Sequence, residues 1–260
     1  MACEMSCLAD QEPVDIRQRS TVNILLTNDD GWDAPGIQAL ASVASEFGTV
    51  WIVGPSEQVS GASHQMTWEG NIRLTEKSPQ VFAVGGFPTD CVRIALSQLG
   101  VPFDWVLSGI NNGGNLGTDI NMSGTVAAAR EAAMHGCHAI AFSQHRKRFT
   151  EPDFDWNPTK EMARRVLEQV LKPANEYSTT YTANVNFPDV SLGKAKTASI
   201  EFCELDRSPL AAVYREVEPN LFVPEIVYNQ REQAEGRDVA HCFAGRITVT
   251  GFDFVSASKR

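Results

Sequence analysis

No run of about 18 apolar residues occurs in the 260-residue chain, so no transmembrane helix and no membrane partner are expected. Residues 1–20 hold no apolar stretch between mixed charges; they do not read as a signal peptide and are expected to form a flexible leader. Positive charge is scarce: 22 Lys and Arg stand against 32 Asp and Glu, a net charge of −10. A nucleic-acid duplex is thereby disfavoured as main partner, because backbone binding needs a basic face. A small phosphate ester stays open, provided a cation stands between the carboxylates and the phosphate. The six cysteines, at positions 3, 7, 91, 137, 203 and 242, form no C-x-x-C pair, which argues against a zinc knuckle or a thioredoxin-type motif. The last four sit among apolar residues and read as small core fillers of a reduced, cytoplasmic chain. Also missing are a Gly-Lys-Ser/Thr phosphate loop and a G-x-G-x-x-G turn after the first strand.

What is present is an alternation of strand and helix signals. Residues 23–27 (N-I-L-L-T) form a short, nearly continuous apolar run of the kind buried on both faces of a sheet. Residues 35–47 carry apolar positions at helical spacing, with Pro35 in the first turn and Gly48 as the stop. Further strands are predicted at 50–53, 71–74, 81–84, 105–108, 139–142 and 183–187. Helices are predicted at 90–99 behind a Thr89 cap, from Ser123 to 134, and at 160–171. This order predicts an α/β fold, a mostly parallel Rossmann-like sheet with helices on both faces. After Pro188 strand-like runs recur (198–205, 221–227, 247–249) without a convincing helix between them. The expected organisation is a leader (1–20), a catalytic core (21–187) and a β-rich C-terminal hairpin extension serving as an oligomerisation arm (188–260).

Four polar segments fall on the βα loops, where open parallel sheets bind ligands. Directly after the first strand come Asn28, Asp29, Asp30 and Gly31. Paired carboxylates suit Mg²⁺ or Mn²⁺, although N-D-D-G is also turn chemistry. After the second strand, S-E-Q-V-S-G-A-S-H offers Ser60, Ser63 and His64 to a metal or a phosphate, or forms a plain surface loop. The segment S-G-I-N-N-G-G-N-L-G (108–117) holds four glycines and three asparagines, suited to close backbone approach and to neutral oxygen ligation. Ser123, Gly124 and Thr125 open a helix, which is either a phosphate cradle or an ordinary serine cap. The run Arg146, Lys147, Arg148 reads as a solvated patch, His135, His138 and His145 lack metal spacing, and Trp32 either lines a pocket or simply packs.

The strings ILLTNDDGWDAPGIQAL, GPSEQVSGASH, FPTDCV and LSGINNGGNLGTDINMSGTVAAAREA together resemble the SurE family of stationary-phase survival proteins. The resemblance is dense over residues ~22–145 and looser from ~188 onward. It implies a metal-dependent phosphatase of nucleoside 5′- and 3′-monophosphates, in several members also of short polyphosphate. Position by position, it places one divalent cation per subunit, Mg²⁺ or Mn²⁺, on Asp29, Asp30, Ser60 and Asn111, with Asp29 and Asp30 catalytic. Asn115 and the Ser123-Gly124-Thr125 helix start match the part of the pattern around the phosphate. Asn28, Gly113 and Gly114 join them as expected substrate contacts. A homodimer or homotetramer made by exchanging terminal segments is also implied. Two alternatives are kept. One is attack by Asp29 itself, as in haloacid-dehalogenase-type phosphatases, which carry D-x-D where this chain has D-D-G. The other is a nucleotide-binding regulator without turnover.

Overall fold

The computed structural model describes residues 22–147, 154–171, 177–211, 213–225 and 228–252; the leader, Arg148, Cys3 and Cys7 lie outside the described residues. In chain order the elements are β1 (Asn23–Thr27), α1 (Pro35–Ala44), β2 (Thr49–Pro55), β3 (Leu74–Ser78), β4 (Val81–Val84), α2 (Pro88–Gln98) and β5 (Trp105–Asn111). There follow α3 (Gly124–Met134), β6 (His138–Gln144), α4 (Asn157–Val170), β7 (Thr182–Phe187), α5 (Leu192–Ala195) and β8 (Ile200–Phe202). The chain closes with β9 (Tyr214–Glu218), β10 (Leu221–Pro224), α6 (Asp238–Phe243) and β11 (Ile247–Gly251).

Among the described residues, nine strands form one sheet in the order β3-β4-β2-β1-β5-β6-β7-β11-β8. The strands from β4 through β7 pair in parallel, while β3 and β11 run antiparallel to β4 and β7. Alternation along β1 explains the two-layered core. Ile24 and Leu26 face the side packed by α1 and α4, and Leu25 faces the side packed by α2 and α3, all three fully buried. Each such side chain contributes roughly 1.5–3 kcal/mol of burial. The result is the α/β sheet expected from the sequence, with β9 and β10 as a separate antiparallel hairpin. No helix among the described residues is long and apolar enough to cross a membrane.

Several expected boundaries move. α2 starts at Pro88 with Phe87 as its cap residue, not Thr89; the Thr89 hydroxyl is buried and donates to the Gln65 carbonyl. α4 starts at Asn157, three residues earlier than expected. The segment after 188 is not free of helix: α6 packs onto β11, which together with β8 extends the main sheet. Cys91 and Cys242 are buried as expected of core fillers, whereas Cys137 and Cys203 are half-buried.

The order in which strands are added reverses between the parallel β1 and β5: β1, β2 and β4 proceed outward on one side, and β5, β6 and β7 on the other. Such a switch point leaves a crevice at the carboxyl ends of its two central strands. Thr27 pairs with Ser108, so β5 runs on past the end of β1 to Asn111. Gly109 makes this overhang possible: its φ is +132°, and a Cβ there would sit 2.3 Å from the Phe142 carbonyl oxygen.

Candidate active site

Asn28, Asp29 and Asp30 leave β1 at the switch point. Asn28 is fully buried and binds Gly31 twice, its amide donating to the Gly31 carbonyl at 2.7 Å and its Oδ1 accepting from the Gly31 N–H at 3.2 Å. That local turn sets the two aspartates apart in direction. Asp29 turns toward α3, where its Oδ1 accepts the Thr125 hydroxyl at 2.5 Å. Gly124 permits this approach, since a Cβ there would lie 3.0 Å from the Asp29 carboxylate. Asp30 turns toward β5, its Oδ2 accepting from the Asn112 N–H at 3.1 Å and its Oδ1 from the Gln58 amide at 3.3 Å.

Neither aspartate forms an ion pair with a described Lys, Arg or His. Burial raises the Asp29 carboxyl to about 6, the neighbouring charge of Asp30 adding to this and the Thr125 hydroxyl and N–H opposing it. Burial likewise raises Asp30, against the donors Asn112 and Gln58. A buried carboxylate next to a half-buried one, with no counter-charge, is costly unless a cation joins them.

A cavity of about 370 Å³ opens over this pair. Of the residues expected from the sequence, it brings together Asp29, Asp30, Ser60, Asn111, Gly114, Asn115 and Ser123. Asn28, Gly113, Gly124 and Thr125 are not on its wall. Asn28 shapes the turn, Thr125 and Gly124 abut Asp29, and the Gly113 carbonyl accepts the Asn111 amide at 2.8 Å. That bond occupies the nitrogen end of Asn111 and leaves its Oδ1 without a protein donor among the described residues. The Ser60 hydroxyl accepts from Gln58 at 2.8 Å.

The donors therefore fit a hard divalent ion: two carboxylates, one hydroxyl and one amide oxygen, all oxygen. No group of three or more His, Cys, Asp or Glu side chains able to hold a metal occurs among the described residues.

Neighbouring elements hold the loops in place. Around Ser60, the Val59 N–H donates to the Asp29 carbonyl at 2.8 Å, the Ser63 hydroxyl to the Asn121 carbonyl at 2.6 Å, and the Ser63 N–H to the Met122 carbonyl at 3.1 Å. His64 reaches Glu131 of α3 at 2.8 Å, and Arg93 and His135 reach the same carboxylate at 2.5 and 3.1 Å. Burial pushes Glu131 upward, yet these three partners outweigh it and bring the carboxyl to about 2. On the other side Asn115 is gripped by Asn184 and Asn186 of β7, and its amide donates to the Ser143 hydroxyl of β6 at 2.8 Å. Ser123 caps α3, its hydroxyl accepting from the Val126 N–H at 3.1 Å while lining the cavity.

Sequence reasoning missed Gln58, Asn112, Asp119 and Tyr228, which share the same wall. Gln58 and Asn112 lie inside the quoted motifs and were within reach. Tyr228 comes from the part of the chain with the weakest pattern; its hydroxyl donates to the Gly114 carbonyl at 3.0 Å. The expectation for Arg146 is corrected: it is not solvated but 3% exposed, donating to the Asn112 side-chain oxygen at 2.9 Å. Trp32 lies on neither cavity that adjoins Asp30, and Lys77 sits over its ring at 5.2 Å.

The family model described as "Survival protein SurE" matches residues 24–211. A relative from Nostoc sp. is 42% identical over 229 residues, 88% of this chain and 98% of its own length. The protein named 5′-nucleotidase SurE from Paramagnetospirillum magneticum is 35% identical over 245 residues, covering 90% and 91% of the two chains. Among solved structures, the SurE protein from Aquifex aeolicus superposes with a TM-score of 0.74 at 29% identity, over 90% of this chain and 95% of that one. The four ordered loops and the switch-point crevice thus have a family to which they correspond, and the chain belongs to the SurE family.

Proposed function

We propose that this chain is a divalent-metal-dependent 5′-nucleotidase that hydrolyses nucleoside monophosphates to nucleoside and phosphate. The observation that carries the reading is the uncompensated pair Asp29–Asp30 at the switch point, in one cavity with Ser60, Asn111 and Ser123. Relatives bearing the name 5′-nucleotidase SurE support the substrate class.

Asp29, Asp30, Ser60 and Asn111 would hold one Mg²⁺ or Mn²⁺. When bound, the ion supplies Lewis-acid polarisation of a phosphoryl oxygen and lowers the pKa of a bound water. Thr125 fixes Asp29 in one rotamer through its hydroxyl, and Gln58 spans Asp30 and Ser60 with a single amide nitrogen. Asn115 and the Ser123 end of α3 supply dipoles where charge develops on the phosphoryl oxygens. The helix start carries roughly +0.5 e for this purpose. Asn28 and Gly113 act one step back, by shaping the loops that present Asp29 and Asn111. We extend the same chemistry to 3′-monophosphates and short polyphosphate, and assign oligomerisation to the β9–β10 hairpin, which exposes Tyr214, Leu221 and Phe222.

Phosphate release from a panel of 5′- and 3′-monophosphates, each with Mg²⁺, Mn²⁺ or chelator, tests the reading. Release that needs metal is expected. No release with either metal, or full release in chelator, overturns it. Light scattering checks the assembly, and a particle of one chain mass, 28.5 kDa, refutes the oligomer.

A further inference from the structure

A second cavity, of about 570 Å³, adjoins the first across Asp30, Gln58 and Asn112, which line both. Its chemistry differs. The first combines short polar side chains with Met122, Leu210 and Tyr228, whereas the second adds Arg146, Phe154 and Trp156 to the polar residues that the two share. The three touch in turn, Arg146 over Phe154 and Phe154 against Trp156. The Arg146 guanidinium lies 4.4 Å from the Phe154 ring centre, and Phe154 meets Trp156 edge-on at 5.0 Å.

Flat π surfaces and a guanidinium plane are the groups on which nucleobases stack, with little dependence on base identity. Trp156 is held from behind, packed against the core at Gly36, where a Cβ would stand 3.2 Å from the indole. The wall is therefore preformed rather than assembled around a ligand.

Asn112 ties this wall to the acidic pair. Its N–H donates to Asp30, and its side-chain oxygen accepts from Arg146. One residue thus fixes the distance between the place where phosphorus would react and the aromatic wall. Because the two cavities share Asp30, Gln58 and Asn112, a monoester whose phosphate sits over Asp29 and Asp30 can reach across Asp30 into the second one.

Resting on the nucleotidase reading above, we infer that the cavity lined by Arg146, Phe154 and Trp156 is the nucleobase subsite. The base of a nucleoside monophosphate stacks there while its phosphate lies on the Asp29–Asp30 side. Arg146, Phe154 and Trp156 are then specificity-determining residues that favour nucleotides over other phosphate monoesters.

The test compares AMP with ribose 5-phosphate, which differs by the base alone, and adds equilibrium binding of adenosine by calorimetry. For the wild-type protein, kcat/KM for AMP should exceed that for ribose 5-phosphate by roughly tenfold, and adenosine should bind. Phe154→Ala should remove most of the AMP advantage through KM, leave ribose 5-phosphate within twofold, and weaken adenosine to a similar degree. Phe154→Tyr, which keeps the ring, should restore all three. Ala34→Phe, which places a ring in the same cavity without altering Arg146, Phe154 or Trp156, provides an independent loss.

Equal kcat/KM for AMP and ribose 5-phosphate in the wild type, or equal losses on both in Phe154→Ala and Ala34→Phe, overturns the subsite. So does the absence of adenosine binding. Adenosine binding that responds to both variants, in a protein that cleaves neither ester, upholds the subsite and refutes the nucleotidase reading instead.

Discussion

Two groups of aspartates, Asp29 with the half-buried Asp30 and the buried Asp119 with Asp206 and Asp238, are treated very differently. Asp29 and Asp30 are donor-poor: one hydroxyl and one N–H meet Asp29, one N–H and one amide meet Asp30, and no cation is paired with either. Asp119, Asp206 and Asp238 are tied into the fold, the Asp119 Oδ2 by a cation and the other two by backbone N–H groups, while the Asp119 Oδ1 finds no partner among the described residues. Asp119 is paired with the buried Arg231. Asp206 accepts from the N–H groups of Ser208 and Ala234, and Asp238 from those of Gly117, Asp206 and Val239. Burial acts on Asp206 to raise it, but these donors and Arg231 prevail and hold it below the usual range. The lesson is that burial alone does not mark a functional carboxylate. A buried acid whose protons and partners are all accounted for is a fastener, and one left short of positive charge is a place kept for a ligand.

The contrast breaks most visibly at Asp29. Asp29→Asn should cost roughly 1,000-fold in phosphate release, since the hard anionic donor is gone while its shape remains. Because the ionised carboxylate is itself costly in the metal-free protein, the melting temperature of the metal-free variant should be no lower than that of the wild type. Substantial retained turnover at saturating metal, or a clear loss of metal-free stability, would show Asp29 to be a fastener like the others.

At Asp238 the expectation reverses. Asp238→Ala strands three buried N–H groups and should cost about 3 kcal/mol in denaturant unfolding. Activity should fall only to the extent that the fold does. A variant as stable as wild type but inactive would place Asp238 in the chemistry and erase the distinction.

The smallest effect sharpens the rule on a third carboxylate, Glu131, which is met by Arg93, His64 and His135. Its folded-state value of about 2 lies below the ordinary 4.5, so its contribution is complete above pH 4.5 and is lost as pH falls toward 2. Glu131→Gln should therefore flatten the acid limb of a stability–pH curve. If wild type and variant lose stability in parallel between pH 4.5 and 2, the clamp of His64, Arg93 and His135 is not supporting the fold.

Much of this was legible from local pattern. β1 was read with its observed ends because three consecutive apolar residues bounded by polar ones leave little latitude, and α3 because Ser123 is a true cap. The loops bearing Asp29, Ser60 and Asn111 stood out by their density of short polar residues. What escaped depended on distant packing. Nothing in R-K-R foretells that Arg146 lies under Phe154, and a six-residue helix such as α6 has too few turns for periodicity to emerge. Starting α4 at Lys160 also hid Trp156, which stands at its cap.

Ser60 stands between fixed points, with Val59 bonded to the carbonyl of Asp29 and Ser63 bonded to Asn121 and Met122. A free loop residue loses backbone freedom worth roughly 1–2 kcal/mol when a ligand immobilises it. Here that entropy is surrendered when the protein folds, through bonds that exist before any ligand arrives. Affinity at this position is thus preset by folding, and a substitution at Ser63, which touches no ligand, would weaken binding by returning motion to its neighbour.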